Sequence, residues 1–503
     1  MSLSFPIEWI FAILPEILLV VLLAAVLLYD RFLKGESRRN VGLLTAWGAL
    51  AILLVTLSLW LIWGIPDPIK ALTAQSLYWG DMIRNDLITL VFRVMFLFAL
   101  LLTSLITVDV KRLQRGEFYA LLIAATVGFS LMAASADLIM LYIALETASI
   151  SSYVLAGFRT EDDESVEAGM KYFVYGAAAT GIMLYGLSLL YGIFGTTNIF
   201  QMGQSFNQLL DNVPEASGLL LLAAGFVIVG FGFKISAVPF HFWTPDVYHG
   251  SPTSFTAFVS TASKAAGFAV LLRVFSAGVF GVPSPQAQGW WALLVSMCVI
   301  TMTLGNIAAI FQNNIKRLLA YSSIAQAGYA LIGLVAFSPD GSGATVFYLL
   351  MYVFTNIAAF GVIILISNVS GSNDMRDLYG LNRRSPYLAL VMLFALLSLG
   401  GIPPTAGFIG KFFVFKAAVD AGYWWLAMLG ILNAFVALYY YLNVVKYMYL
   451  YRSDEEDVAI PVSRAAQIGL GVSLFFILFL GVYAGPAYDW TREAANAFFA
   501  FLG

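Results

Sequence analysis

Four ionisable residues stand in stretches that are otherwise apolar: Glu146 in LYIALETASISSYVL, Lys234 in GFGFKISAVPF, Lys264 in TASKAAGF and Lys411 in GFIGKFFVFK. A charged side chain near the centre of a bilayer costs about 2.5–3.5 kcal/mol on insertion scales, so each needs a partner or a task. Desolvation favours the neutral form of either group and an opposite charge favours the ionised form. A Glu146–Lys234 pair is therefore poised, because a small displacement of one partner decides whether the lysine keeps its proton. Lys264 can take that proton by way of water, and lysine suits the task where arginine, which does not release its proton, does not. The chemistry is stepwise proton transfer. A single intramembrane lysine reads equally well as a snorkelling side chain or a static salt bridge. Four charges at similar depth, two of them beside helix breaks, favour a shared role.

Other polar residues leave two readings open. His241, in PFHFWTPDVYHGSPT, is a relay between lysines by virtue of its near-neutral titration, or a brace for the surrounding loop. Lys171 follows Glu167 by four residues, which suits both an i,i+4 pair near the headgroups and a place on a proton pathway. Glu16, after Pro15, is either a charge of the same kind or a packing contact to a neighbouring subunit. Asp246 and Ser251 are expected to cap and brace the chain, His249 to lie near its end, and Ser453–Asp457 to form a solvated loop. In the second half YSSIAQAGY offers Ser322, Ser323 and Gln326, so Lys411 is expected to face hydroxyls, an amide and water.

The elements that carry these residues follow from composition. Of 503 residues, 61% are hydrophobic and 11% charged, against roughly 25% charged in an ordinary soluble domain. Apolar runs between polar breaks predict about fourteen transmembrane helices: 7–29, 40–64, 84–108, 116–135, 137–158, 167–194, 215–250, 254–277, 288–311, 316–336, 343–370, 388–420, 424–450 and 464–486. The first lacks a basic leading segment and a small-residue cleavage site, and is expected to be retained. The fold class is an all-α polytopic membrane protein forming a single membrane domain over 1–503, with three N-terminal helices in 1–110.

Segments 215–250 and 388–420, the seventh and twelfth, are too long for one plain crossing and contain Pro239 and Pro245, and Gly400, Gly401, Pro403 and Pro404. Both read as broken helices, which are tolerated where freed backbone groups face protein or a water-filled cavity. They are five helices apart. Helices 4–8 (116–277) and 9–13 (288–450) therefore read as two five-helix repeats, the second inverted because five is odd, followed by a C-terminal helix over 464–486. The basic loops 30–40, 109–117, 312–317 and 371–386 fall on one side, which the positive-inside rule makes cytoplasmic with both termini outside.

Several classes are excluded. A net charge of -3 gives no polycationic surface for nucleic acid. One cysteine, Cys298, and two histidines leave no internal disulfide, zinc cluster or iron–sulfur site. No dinucleotide fingerprint, Walker A motif or H-E-x-x-H occurs, so no cofactor is expected in this chain.

The stretches LETASISSYVLAGF, EAGMKYFVYGAAATGIMLYGLSLLYG, FKISAVPFHFWTPDVYHGSPTSFTAFVSTASKAAGFA, IKRLLAYSSIAQAGYALIGL and LSLGGIPPTAGFIGKFFVF resemble the antiporter-like subunits of complex I, the proton-pumping NADH:quinone oxidoreductase, and more narrowly the subunit N (subunit 2) branch. The similarity is densest from about 117 to 450. A lysine at 411, where subunit M has a glutamate, and the lack of a long lateral helix separate it from subunits M and L. The resemblance implies a relay in which Glu146 pairs with Lys234, Lys264 connects and Lys411 terminates, with Lys171 a further lysine and His241 on the central hydrophilic axis. It implies that NAD, FMN, iron–sulfur clusters and quinone are held by partner subunits, and that the neighbours include subunit M and small subunits such as K. The expected location is an energy-coupling membrane, most simply a bacterial plasma membrane. A membrane subunit of a multisubunit cation/proton antiporter is the alternative.

Overall fold

The computed structural model describes residues 7–62, 77–280, 288–452 and 459–502, and the acidic run Ser453–Asp457 lies outside them. Each of the fourteen expected segments carries a helix within its described residues. Among the described residues, twelve helices are long and apolar enough to cross a membrane, including Leu87–Thr107, Gly116–Ala134, Leu138–Ala156, Asp163–Phe194, Thr253–Ser276, Ile315–Val335 and Pro339–Ser370. The first segment, Leu14–Asp30, is shorter, and the twelfth is divided between Pro386–Gly400 and Ala406–Asp420.

Capping moves several boundaries from where apolar runs placed them. The third helix starts at Leu87 because the Asp86 carboxylate accepts the Thr89 N–H at 2.9 Å, while Ile83–Arg84 belongs to a short hairpin with Leu77–Tyr78. The sixth starts at Asp163, capped by Asp162, and the eleventh at Pro339, capped by Ser338. Among the described residues, two helices of more than one turn were not expected. Ile199–Asn212 links the sixth and seventh crossings, and Gly485–Leu502 follows the fourteenth, which ends at Val482.

Both expected breaks are present. Ala216–Ile235 ends at Ser236, in the left-handed region at φ 64, and the chain resumes as Trp243–Gly250. Pro386–Gly400 ends at Gly401 (φ 83), where glycine bears that conformation without strain, and resumes at Ala406. The prolines in each gap carry no N–H with which to continue the helix. The eighth crossing has a different irregularity, a π-helical turn over Val259–Ser263 that ends where Lys264 begins.

The two halves repeat their contacts. Gly128 of the fourth crossing lies against the Ala148 backbone of the fifth, where an added Cβ would be 2.6 Å from the Ala148 nitrogen. Gly305 of the ninth lies against Ala325 of the tenth at the same 2.6 Å. Asp137 and Asn314 cap the fifth and tenth helices and make isolated bridges to Asn198 and Asp374, just past the sixth and eleventh. Those two helices each run for 32 residues and end at a left-handed glycine, Gly195 or Gly371. They differ in surroundings: the eleventh is buried on every side from Gly341 to Ile366, whereas the sixth exposes Met170, Phe173 and Tyr185.

The basic loops gather at one end of the bundle. Arg39 pairs with Asp109 at 3.0 Å, Arg317 with Asp246 at 2.9 Å, and the Lys316 ammonium donates to the carbonyls of His249 and Ser251 at 2.8 and 2.7 Å.

Candidate functional site

Lys234, Lys264 and Lys411 are 2, 2 and 4% exposed, so none of them snorkels to a surface. Each is held mainly by neutral oxygen. Lys234 sits on the last turn before the first break and donates to the Ser149 hydroxyl at 3.1 Å, with its ammonium 5.5 Å from the centre of the Phe129 ring. Ser149 lies one turn beyond Glu146 on the fifth crossing. Glu146 itself is half-buried, one carboxylate oxygen is enclosed without a hydrogen bond, and among the described residues no ion pair within 4 Å joins it to Lys234. The ion pair expected between Glu146 and Lys234 is not made within 4 Å, and the lysine bonds Ser149.

The stem of Lys234 lies against Gly267, where an added Cβ would be 3.4 Å from its Cγ. Gly267 is one turn past Lys264, so the seventh and eighth crossings meet between the two lysines. The Lys264 ammonium donates to both the hydroxyl and the backbone carbonyl of Ser323, and that hydroxyl also accepts from Tyr352 at 2.9 Å. Ser323 stands as far past Gly305 as Glu146 stands past Gly128.

A second set of polar groups begins at Ser322, the sequence neighbour of Ser323, and among the described residues no hydrogen bond joins it to the first. The Ser322 hydroxyl bonds Tyr441, which accepts from the Gln326 amide at 3.1 Å. The same amide donates to the Leu399 carbonyl at 3.0 Å, and its oxygen accepts from Tyr348. The Leu399 carbonyl also accepts from the Lys411 ammonium at 2.9 Å, with Gly400 at 3.1 Å and the Tyr329 ring centre at 4.6 Å. The helix break explains these acceptors, because the last carbonyls before Gly401 have no succeeding turn to bond and are free to hold an ammonium. Lys411 was expected to face hydroxyls and an amide, but its ammonium bonds backbone carbonyls, and Gln326 meets it only through the shared Leu399 carbonyl.

The remaining candidates lie off this row. His241 is 5% exposed within the first break, its Nδ1 is enclosed without a partner and its ring packs on Phe242. It contacts none of the three lysines through a hydrogen bond. Lys171 lies at the basic end, bonded to Glu167 and Asp246 at 2.7 Å each, and Asp246 carries Arg317 on its other oxygen. This is a surface ion cluster that ties the sixth, seventh and tenth crossings together. His249 lies in the same region, 3.7 Å from Glu164.

Glu16 is corrected: its partner is inside the chain. Both its oxygens are bonded by Arg93, at 2.8 and 3.0 Å, and one accepts from Ser130. A second buried cluster also escaped the sequence reading. Asp86 accepts from Arg273 at 2.7 Å and pairs with Arg84 at 3.0 Å, beneath the Phe498 ring. The signal was available, since Arg93 in LVFRVMF and Arg273 in LLRVFS break apolar runs as plainly as the lysines do.

The transmembrane family described as NADH:quinone oxidoreductase/Mrp antiporter matches residues 135–437, which contain every residue of this row except Tyr441. NADH-quinone oxidoreductase subunit N of Moorella thermoacetica is 47% identical over 411 residues, 81% of this chain and 84% of the relative. Subunit N of Trichlorobacter lovleyi is 42% identical over 489 residues, 96% of both chains. The chain belongs to the NADH-quinone oxidoreductase subunit N family. Its fold matches a chain of respiratory complex I from Thermus thermophilus with a TM-score of 0.77 at 33% identity, covering 94% of this chain and 98% of that one. A chain of the Mrp complex from Dietzia superposes with a TM-score of 0.81 at 20% identity over 99% of this subunit N homologue and all of that chain, a likeness of fold alone.

Proposed function

We propose that this chain is a proton-translocating membrane subunit of an NADH-quinone oxidoreductase, and that Lys234, Lys264 and Lys411 carry the proton. Electrons pass from NADH to quinone in partner subunits that hold NAD, FMN, iron–sulfur clusters and quinone. This subunit converts the resulting charge movement into a change at Glu146. Approach of the carboxylate to Lys234 stabilises the ammonium, and its withdrawal to the Ser149-bonded arrangement releases the proton toward Lys264. Ser323, Ser322, Tyr441 and Gln326 then form the route to Lys411, from which the proton leaves on the face opposite the basic loops. His241, enclosed beside the first break, serves as a side branch, and the Lys171–Asp246–Arg317 cluster holds the seventh crossing in place on the basic side.

The observation that carries this reading is the burial of Lys264 and Lys411 on two neutral hydrogen-bonded groups that meet at the adjacent residues Ser323 and Ser322, the second group ending on carbonyls freed by a helix break. The relatives and the matched chain of respiratory complex I support the assembly, with a subunit M-type neighbour and small subunits such as K alongside. A bacterial plasma membrane with both termini outside fits the loop charges. The two copies of the glycine seam and of the capped 32-residue helix support an inverted repeat of 116–277 in 288–450.

The test is Lys411→Ala in the assembled complex, reconstituted in vesicles. The ratio of protons pumped to NADH oxidised should fall while NADH oxidation by the hydrophilic arm persists; an unchanged ratio overturns the assignment. The fold likeness to the Mrp complex favours one second reading, a cation/proton antiporter that uses no electrons. It predicts purification without an NADH-oxidising arm and sodium-dependent proton flux, and the first reading predicts the reverse.

A further inference from the structure

A cleft of about 820 Å³ opens at the basic end of the bundle, away from the lysine row. Its walls are the turn carrying Lys111 and Arg112, the loop residue Arg159, and the start of the eighth crossing at Thr253 and Ser254. We propose that this cleft binds a phosphate-class anion, either the headgroup of an anionic phospholipid or free phosphate.

Four features converge on that chemistry. The first is charge: three cations line the cleft, and among the described residues its one acidic wall residue is Asp109, with one carboxylate oxygen on Arg39 at 3.0 Å and the other enclosed without a hydrogen bond. The second is an unmet donor. Arg159 reaches Asp162 only at 3.4 Å through one terminal nitrogen, and its Nε is enclosed without a partner. Burial lowers the Arg159 pKa, Asp162 opposes the shift and the charge of Arg112 adds to it, so the two guanidiniums lie close enough to repel. An anion between them removes that repulsion and accepts from both, the bidentate geometry for which arginine is suited.

The third feature is the helix. Thr253–Ser276 begins at Pro252, which has no side-chain oxygen to accept the N–H groups of the first turn, and no side chain caps them. Those N–H groups and the positive end of the peptide dipoles lie at the cleft wall. The fourth is Ser254. It is 1% exposed and lines the cleft, and its hydroxyl bonds no protein group among the described residues. A buried hydroxyl beside an uncapped helix start and three cations is a further donor for a phosphate oxygen. The position at the ends of the crossings is headgroup depth, where basic pockets between transmembrane helices take anionic lipid.

The experiment uses the assembled complex, wild type and Arg112→Gln/Arg159→Gln. In the lipid arm, complexes in nanodiscs of phosphatidylglycerol and phosphatidylcholine are extracted and retained lipid is counted by native mass spectrometry. In the phosphate arm, delipidated complex is dialysed against radiolabelled inorganic phosphate. Retention of phosphatidylglycerol by the wild type, with about tenfold or greater weakening in the double variant, assigns the site to lipid. Saturable phosphate binding lost in the same variant assigns it to the free ion. Should the double variant fail to assemble, Lys111→Gln/Ser254→Ala is read in the same way. Binding that survives both variants, binding in neither arm, or crosslinking from position 112 to a neighbouring subunit's polypeptide overturns the proposal.

Discussion

A lysine whose ammonium is held only by neutral oxygens can lose its proton without leaving an unpaired carboxylate behind. Lys264 and Lys411 are bonded in this way, to Ser323 and to the carbonyls of Leu399 and Gly400. Arg93 is bonded in the opposite way, to both oxygens of the buried Glu16, and that pair is a lock and not a relay. Removing one member of a buried ion pair leaves a charge without compensation and costs about 3–5 kcal/mol, whereas replacing both by apolar residues is close to neutral. Arg93→Met should therefore lower the thermal midpoint and the amount of assembled complex, and adding Glu16→Leu should restore most of both. Equal loss in the single and double variants would show that the pair has a role beyond mutual compensation. Ser323→Ala tests the relay itself. The Ser323 carbonyl still accepts from Lys264, so the fold should hold, but the hydroxyl that links Lys264 to Tyr352 is gone. The ratio of protons pumped to NADH oxidised should fall, with the melting curve unchanged to within about 1 kcal/mol.

At the scale of elements, the second broken helix decides where Lys411 is held, because the break leaves the Leu399 and Gly400 carbonyls free to accept from its ammonium. Gly407 sets the geometry of the second break. A Cβ there would overlap the Ser398 carbonyl, so Gly407→Leu should push the two half-helices apart and draw Lys411 away from Leu399. Loss of pumping beyond the loss of assembled protein, measured on equal amounts of complex, is the expected result. Both breaks were legible in the sequence because proline and glycine act locally: Pro239, Gly401 and Pro403 end a helix whatever surrounds them. The π turn before Lys264 was not legible, because VSTAS contains no breaker and the widened turn is fixed by contacts such as Asn356 to Ser260 at 2.6 Å. Glu146, Lys234, Lys264 and Lys411 stood out because charge in an apolar run is visible one residue at a time. Ser149, Tyr441 and Tyr352 did not, since a hydroxyl among apolar residues is unremarkable until the fold turns it toward a lysine. The helix Gly485–Leu502 was missed for a related reason. Gly485-Pro486 reads as a terminator after an apolar run, yet proline's fixed φ also suits the first turn of a new helix.

At the scale of the molecule, that C-terminal helix closes the end opposite the basic loops. Tyr488 stacks on Phe413 at 3.6 Å, and the Phe498 ring lies within 6 Å of both Arg84 and Arg273, roofing the Asp86 cluster. Deleting residues 485–503 should admit water to that cluster and strip cover from the eleventh helix, lowering the thermal midpoint; a truncated chain that melts like the full one would make the helix dispensable. The arrangement also gives the bundle chemically distinct ends, one carrying the basic loops and the other this helix and the hairpin. If the loop charges orient it as the positive-inside rule requires, the proton route runs from the basic, cytoplasmic side outward. The buried Cys298 leaves a quiet background for labelling. Ser372→Cys, exposed on the basic end, should react with a membrane-impermeant maleimide only after vesicles of cytoplasmic-side-in orientation are opened. Asn212→Cys, exposed at the other end, should react before opening. The reverse pattern would invert the chain, and with it the direction in which Lys411 delivers its proton.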